Sequence, residues 1–136
     1  REKQHDFYYT AVEDATMERT FPESRRTYLP LKDIRVCGGD VLAVRVTDSL
    51  MQNPIWKKLI DTRKNPLKQA AIFGADTLFL IASKMLTIEQ IEARISKKLG
   101  IKGKVLITPY AEMGMDVDKP HQLEIMRSFL SKRSLE

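Results

Sequence analysis

The sequence has 136 residues, of which 43% are hydrophobic and 30% are charged, a composition typical of a globular domain that excludes a disordered tail. A chain of this length is one domain or a large part of one. The net charge of +5 suits an anionic partner such as a nucleotide or a phosphorylated metabolite. Its basic residues alternate with acidic ones along the chain, which indicates solvated helix faces rather than a nucleic-acid interface.

Cysteine content and hydropathy predict the cellular setting. Cys37 is the only cysteine, which excludes a disulfide framework and a cysteine-based zinc site, and we expect it to be a small buried core residue. No apolar run reaches the ~18 residues of a membrane span, and no signal peptide is visible. We therefore expect a cytoplasmic protein without membrane contact. Because the sequence starts at Arg1 without a Met, we also expect a piece of a longer protein.

The first 46 residues predict short strands around one helix. The segment 7–9 is β-prone, 11–20 has a helical pattern, and Lys32-Asp33 forms a turn between strand-like segments that lie at 27–31 and 34–36. Pro30 restricts its segment to a sheet edge or a bulge. The near-continuous apolar run 41–46, after the break at Gly38-Gly39-Asp40, predicts a strand buried on both faces.

The remaining residues predict a helical block over about 50–99, in four pieces, and a C-terminal strand and helix region. Thr87 and Gln90 form a capping box for a helix that ends before Gly100. Short strands are predicted at 104–108 and 115–117, before a last helix from 119 to 132. Asp118 is its expected cap, and its expected buried stripe is Leu123, Met126, Phe129 and Leu130. This order of elements predicts a mixed α/β fold.

Asp116 and Asp118 are the strongest candidates for a metal site. Two carboxylates at positions i and i+2 of an extended segment point to the same side. They follow a predicted strand, where open α/β sheets place their ligands. Such oxygen ligands suit Mg²⁺, which binds few protein carboxylates and keeps positions for phosphate and water. The alternative is that Asp118 only caps the last helix and Asp116 faces solvent.

Glycine and basic residues supply the other candidates. Gly38 and Gly39 allow close approach of a ligand to the backbone, or alternatively form a hairpin or a bulge. The Arg25-Arg26 pair and Lys68 are candidate phosphate ligands, since Lys68 follows Asn65-Pro66 at a predicted helix start where a cation opposes the helix dipole. The alternative for Lys68 is an ordinary surface lysine.

Four stretches occur in an order that resembles the C-terminal half of nucleotidyltransferases of the molybdenum-cofactor guanylyltransferase-like family. They are Phe21-Pro22-Glu23-Ser24-Arg25-Arg26-Thr27-Tyr28, Cys37-Gly38-Gly39-Asp40, Asn65-Pro66-Leu67-Lys68 and Gly114-Met115-Asp116-Val117-Asp118-Lys119-Pro120. The resemblance covers nearly the whole chain. It implies a partial Rossmann-like, glycosyltransferase-A-like mixed sheet with a helical insertion. The implied reaction moves a nucleoside monophosphate from a nucleoside triphosphate to a phosphorylated small-molecule acceptor, with Mg²⁺.

The resemblance also implies roles for particular residues. Asp118, helped by Asp116, would hold the metal together with an aspartate of the N-terminal half. Gly38 and Gly39 would lie near the acceptor, and Asp40 stands where the family usually has Asn, which adds a negative charge. Arg26 and Lys68 would match basic positions suited to phosphates.

The family's nucleotide-binding loop belongs upstream of Arg1. We therefore expect residues 1–136 to be the acceptor-side part of the enzyme, inactive alone and prone to self-association. The alternative is a non-catalytic binding or dimerisation module.

Overall fold

The computed structural model describes residues 4–62 and 65–134, which form a mixed α/β fold. Within these residues a four-stranded sheet is combined with seven α-helices and one 3₁₀ turn. The elements are β1 (Phe7–Glu13), α1 (Asp14–Thr20), β2 (Leu29–Pro30), β3 (Arg35–Val44), α2 (Asp48–Met51), α3 (Pro54–Asp61), α4 (Pro66–Ile72), α5 (Ala75–Ala82), α6 (Ile88–Leu99), β4 (Gly103–Ile107), the 3₁₀ turn (Ala111–Gly114) and α7 (Pro120–Arg133).

The sheet has the strand order β2-β3-β1-β4. Strand β1 is antiparallel to β3 and parallel to β4, so its two neighbours differ in direction. Strand β2 pairs with β3 through Leu29 and Pro30, at the sheet edge predicted for Pro30. This mixed sheet with its helices confirms the predicted partial Rossmann-like α/β fold.

The core lies on both faces of the central strand β1. Val12 belongs to one buried cluster, and partly buried side chains of α7 pack against that cluster. Its neighbour Ala11 belongs to a second cluster, which is covered from α6 by Ile88 and Ile91. Consecutive residues of a strand point to opposite faces, so α7 packs on one face of β1 and α6 on the other. Cys37 is buried in the first cluster, as predicted.

The outer edge of β4 is covered by side chains of α6. The backbone N–H of Gly103 donates to Ser96 Oγ at 2.8 Å, and the N–H of Val105 donates to Glu92 Oε1 at 2.8 Å. Glu92 also forms an ion pair with Lys104 at 3.2 Å. These contacts satisfy donors that would otherwise be free to bind another strand.

The outer edge of β3 is uncovered beyond Val36 in the part of the chain that the structure describes. Strand β2 reaches only Arg35 and Val36, so Gly38–Val44 has no strand on that side among the described residues. The side chains of Val41 and Leu42 are 50% and 47% exposed. The prediction that 41–46 is buried on both faces is therefore wrong, because an apolar run predicts burial only where another element covers it.

The helical block confirms the capping predictions but contains five helices over Asp48–Leu99 instead of four pieces. Thr87 and Gln90 form the predicted capping box of α6, and Gly100 ends it in the left-handed region with a φ of 68°. Asn53 and Asn65 each cap a helix whose first residue is proline. None of the helices in residues 4–62 and 65–134 combines the length and the apolarity that a membrane crossing requires.

Three further predictions differ from the structure: two concern the extent of elements, and one concerns the buried face of α7. Residues 11–13 belong to β1 rather than to the following helix, which starts at Asp14. Residues 115–117 form no strand, because the 3₁₀ turn packs against β1 and β3 and turns the chain directly toward α7. In α7, Leu123 and Leu130 are exposed, and the inward positions are Gln122, Ile125, Met126 and Phe129.

Candidate functional site

Arg26 joins three separate segments of the chain at the candidate site. It lies in the irregular segment between α1 and β2, next to Arg25, which adopts a left-handed backbone with a φ of 53°. Its Nη1 is 3.7 Å from Asp116 Oδ2, and its Nη2 donates to the carbonyl oxygen of Gly38 at 3.4 Å. The side chain is only 20% exposed. Arg26 therefore brings the predicted glycine pair and the predicted acidic pair together.

Gly38 and Gly39 lie inside β3, where the strand bulges against β1. The pairing shifts between Tyr9, which faces Leu42, and Ala11, which faces Gly38. A Cβ atom on Gly38 would overlap the Tyr9 hydroxyl, and a Cβ atom on Gly39 would overlap the Thr10 hydroxyl. The Thr10 hydroxyl donates to the carbonyl oxygen of Val41 at 2.7 Å across this irregularity. The predicted break before a strand is therefore wrong, and the bulge alternative is confirmed.

Three carboxylates interact electrostatically beside Arg26. The pKa of Asp40 is raised chiefly by burial and then by the negative charge of Asp116, with a smaller contribution from Asp118. The Arg26 guanidinium opposes this shift in the pKa of Asp40. The structure thus combines a β3 residue with two residues near the start of α7, which lie more than 70 positions away in the sequence. Among these four residues the three acidic groups outnumber the one cation, Arg26.

The Asp118 carboxylate does not cap α7, which was the alternative explanation for this residue. The cap of α7 is Gln122, whose Oε1 accepts from the backbone N–H groups of Asp118 and Lys119 at 2.9 and 3.0 Å. Among the described residues no hydrogen bond to the Asp118 side chain is formed, and the residue is exposed. The cap prediction was wrong because Gln122 reaches back by one turn, a contact that the Asp-Lys-Pro pattern does not reveal.

Tyr9 is a member of this cluster that the sequence did not single out. Its hydroxyl lies over Gly38, and the residue is 37% exposed. Burial is the main cause that raises its pKa, the charges of Cys37 and Asp40 act in the same direction, and Arg26 acts against them. The alternating pattern of β1 gives no signal for this role, because the position of the phenol depends on the bulge in β3.

Lys68 lies away from these groups. It is exposed on α4, which packs against α3 and α5. The Asn65 side chain accepts from its backbone N–H at 3.0 Å, so the Asn-Pro pattern serves as a helix cap. The structure brings together Arg26, Gly38, Gly39, Asp40, Asp116 and, through its charge, Asp118, but it does not bring Lys68 to them.

The cluster is an exposed surface rather than an enclosed cavity. Among the described residues no group of three or more His, Cys, Asp or Glu side chains is close enough to hold a metal ion by itself. Two shallow grooves lie elsewhere, one along Leu31–Arg35 and the other beside Phe129 and Arg133. A cation at this surface would therefore need further ligands beyond these carboxylates.

Comparison with known proteins gives one informative likeness. A solved structure described as a hypothetical transferase from Thermus thermophilus superimposes with a TM-score of 0.74 and 31% sequence identity. The match covers 90% of this chain and 53% of the Thermus chain, so this chain spans about half the length of that protein. No protein-family model matches the sequence, and no curated protein matches it.

The likeness is to a protein described as a transferase. The fold and about a third of the aligned residues are shared with a protein of that description, which agrees with the class expected from the sequence. The likeness does not extend to the transferred group, the metal or the acceptor.

Proposed function

We propose that this chain is the acceptor-side, metal-assisting part of a cytoplasmic nucleotidyltransferase. In this proposal the complete enzyme moves a nucleoside monophosphate from a nucleoside triphosphate to a phosphorylated small-molecule acceptor. The nucleotide-binding part lies upstream of Arg1, so residues 1–136 are inactive alone. The likeness to a hypothetical transferase of about twice the matched length supports this division.

The observation that carries the proposal is the meeting of Arg26, Asp40 and Asp116 at one surface. The resemblance assigned the acceptor to the Gly38-Gly39-Asp40 stretch and the metal to Asp116 and Asp118, from stretches that are far apart in the sequence. Arg26 contacts both stretches, at the Gly38 carbonyl and at the Asp116 carboxylate. Independent stretches of one enzyme site are expected to converge in this way.

The donor set fits Mg²⁺ in its chemistry. Asp118 and Asp116 offer hard carboxylate oxygens, and the Asp118 side chain is not engaged in capping α7. The pKa of Asp40 is raised first by burial and then by the charges of Asp116 and Asp118, and a divalent cation would offset this repulsion. When bound, the ion would supply neutralisation of phosphate charge, on which phosphoryl transfer depends.

The residues of this chain have distinct tasks in the proposal. Asp118 and Asp116 would hold the cation, with the remaining ligands coming from phosphate, water and the upstream part. The Arg26 guanidinium binds the acceptor phosphate, since its planar donors match phosphate oxygens. Gly38 and Gly39 have no side chains that would project from β3 toward the ligand. Lys68 lies apart from these residues, and its contribution is limited to its positive charge.

A dimerisation module is the second candidate function. The uncovered edge of β3 favours it, because Val41 and Leu42 are exposed there and no strand of the described chain lies on the outer side. In that case Asp40 and its acidic neighbours would be surface residues without a ligand.

Calorimetric titration with each nucleoside triphosphate in Mg²⁺ distinguishes the two candidates. The protein would be the chain extended upstream through its preceding coding sequence, as wild type and as Asp118→Ala. The matched control is Asp61→Ala, an exposed aspartate at the end of α3. We expect Mg²⁺-dependent binding that Asp118→Ala abolishes and Asp61→Ala retains. Absence of nucleotide binding by the folded extended chain would leave the dimerisation module.

A further inference from the structure

The Tyr9 hydroxyl and the Arg26 guanidinium approach the same residue. Arg26 Nη2 donates to the Gly38 carbonyl oxygen at 3.4 Å, and the Tyr9 hydroxyl occupies the space that a side chain at position 38 would fill. Two donors thus approach the same residue, and the charges of Arg26 and Asp40 both act on the Tyr9 hydroxyl. Only glycine at position 38 leaves room for this arrangement.

Both groups have unused donor capacity. Within the described residues the Tyr9 hydroxyl makes no hydrogen bond, whereas that of the preceding Tyr8 accepts from the His5 N–H at 3.3 Å. The two Nη contacts of Arg26 are long, at 3.4 and 3.7 Å, so these donors are only weakly engaged. A phosphate oxygen at these donors would form charge-assisted hydrogen bonds, which are stronger than those between neutral groups.

We propose that Tyr9 is a further binding residue of this site and that its hydroxyl donates, beside the Arg26 guanidinium, to a phosphate oxygen of the acceptor. The inference rests on the proposed function and specifies its acceptor side. It requires a phosphate-bearing ligand, since both groups are donors at neutral pH and the raised pKa of Tyr9 keeps its proton in place. It also gives the glycine at position 38 a role in admitting Tyr9 rather than in contacting the ligand itself.

Pyrophosphate binding by the chain of residues 1–136 tests the inference. Calorimetric titrations with inorganic pyrophosphate, with and without Mg²⁺, would compare the wild type with Tyr9→Phe, Tyr8→Phe and Arg26→Gln. Tyr9→Phe keeps the ring and removes only the hydroxyl, so circular dichroism should be unchanged. Loss of one hydrogen bond to a charged group predicts about tenfold weaker binding. Tyr8→Phe, the matched control on the same strand, should bind within about twofold of the wild type.

The possible outcomes separate this inference from the proposed function. Weakening by Tyr9→Phe and by Arg26→Gln, with Tyr8→Phe unaffected, supports both. If Arg26→Gln weakens binding while Tyr9→Phe does not, the role of Tyr9 is overturned and the phosphate site at Arg26 stands. If neither variant differs from the wild type, or if the wild type does not bind pyrophosphate, the inference is overturned together with the acceptor-phosphate role of Arg26. The triphosphate titration of the extended chain would still decide the role of Asp118.

Discussion

At the scale of single residues, Gly39 of β3 is required by close packing rather than by an unusual backbone. The positive φ values among the described glycines belong to Gly74 and Gly100. A Cβ atom on Gly39 would overlap the Thr10 hydroxyl and would also lie 3.0 Å from Thr10 Cβ and 3.1 Å from its carbonyl oxygen. The backbone and Cβ of β1 cannot move away as easily as the end of a flexible side chain.

Gly39→Ala is therefore expected to lower the free energy of unfolding by about 1–3 kcal/mol, the usual cost of overpacking. The matched control is Gly103→Ala in β4, where a Cβ atom would have only ordinary contacts at 3.4 Å. Urea unfolding followed by circular dichroism measures both variants. Equal free energies of unfolding for the two variants would show that the bulge accommodates a side chain.

Asp40 provides a prediction for the dependence of stability on pH. Its pKa is raised in the folded state, first by burial and then by Asp116, so its ionisation opposes folding. This destabilisation is absent below the unfolded pKa and complete above the folded pKa. We expect Asp40→Asn to raise the free energy of unfolding at pH 7, by less than about 1 kcal/mol because solvent screens the charge.

The advantage of Asp40→Asn should disappear as the pH falls through the folded pKa of Asp40 toward 3.8, the ordinary pKa of an aspartate. Urea unfolding at several pH values between 7 and 3.8 measures the difference in the free energy of unfolding between Asp40→Asn and the wild type. The control is Asp33→Asn, an exposed aspartate between β2 and β3. A stabilisation that grows toward acid pH would contradict the assigned direction of the shift.

The residues of the site differ in how far the sequence predicted them. Asp116, Arg26 and Asp40 could be selected because charge and glycine patterns are visible in the sequence. Tyr9 could not, since its position depends on the bulge between β1 and β3. Gln122 could not either, because its side chain reaches back across one helical turn to two backbone donors.

At the scale of secondary-structure elements, local signals were predicted well and tertiary cover was not. The capping box at Thr87 and the stop at Gly100 depend on neighbouring residues only, and α6 has both. The apolar run 41–46 and the segment 115–117 depend on what packs against them. No element of the described chain covers residues 41–46. Residues 115–117 follow the 3₁₀ turn and form no strand.

The covered edge of β4 yields a prediction for Glu92. Its carboxylate accepts from the Val105 N–H and pairs with Lys104, and the side chain is 12% exposed. Glu92→Ala leaves a partly buried donor unpaired, which is expected to lower the free energy of unfolding by about 1–3 kcal/mol. Glu124→Ala, at an exposed position of α7, is the control. Equal urea midpoints for the two variants would mean that water replaces Glu92 at this edge.

At the scale of the whole molecule, the two edges of the sheet predict where self-association occurs. Side chains of α6 cover the outer edge of β4, whereas beyond Val36 no strand of the described residues lies on the outer side of β3. We therefore expect residues 1–136 to dimerise through β3 at high concentration.

A charge in the centre of that edge should prevent this association. Leu42→Lys is expected to shift the light-scattering mass toward the monomer, because an inserted lysine opposes strand pairing. The control is Leu106→Lys at the edge strand β4, where the wild-type side chain is similarly exposed at 43%. A wild-type chain that stays monomeric at high concentration, or a loss of association in Leu106→Lys alone, would contradict the assignment to β3.

The central claim is that β3 and the segment before α7 form one cation-assisted site, and paramagnetic NMR tests it most directly. Mn²⁺, which prefers the same oxygen ligands as Mg²⁺, would be titrated into the ¹⁵N-labelled chain. We predict that the amide signals of residues 38–42 and 115–119 broaden together and first, and that Asp118→Asn abolishes the effect in both segments. Broadening confined to one segment, or centred elsewhere on the surface, would contradict the claim.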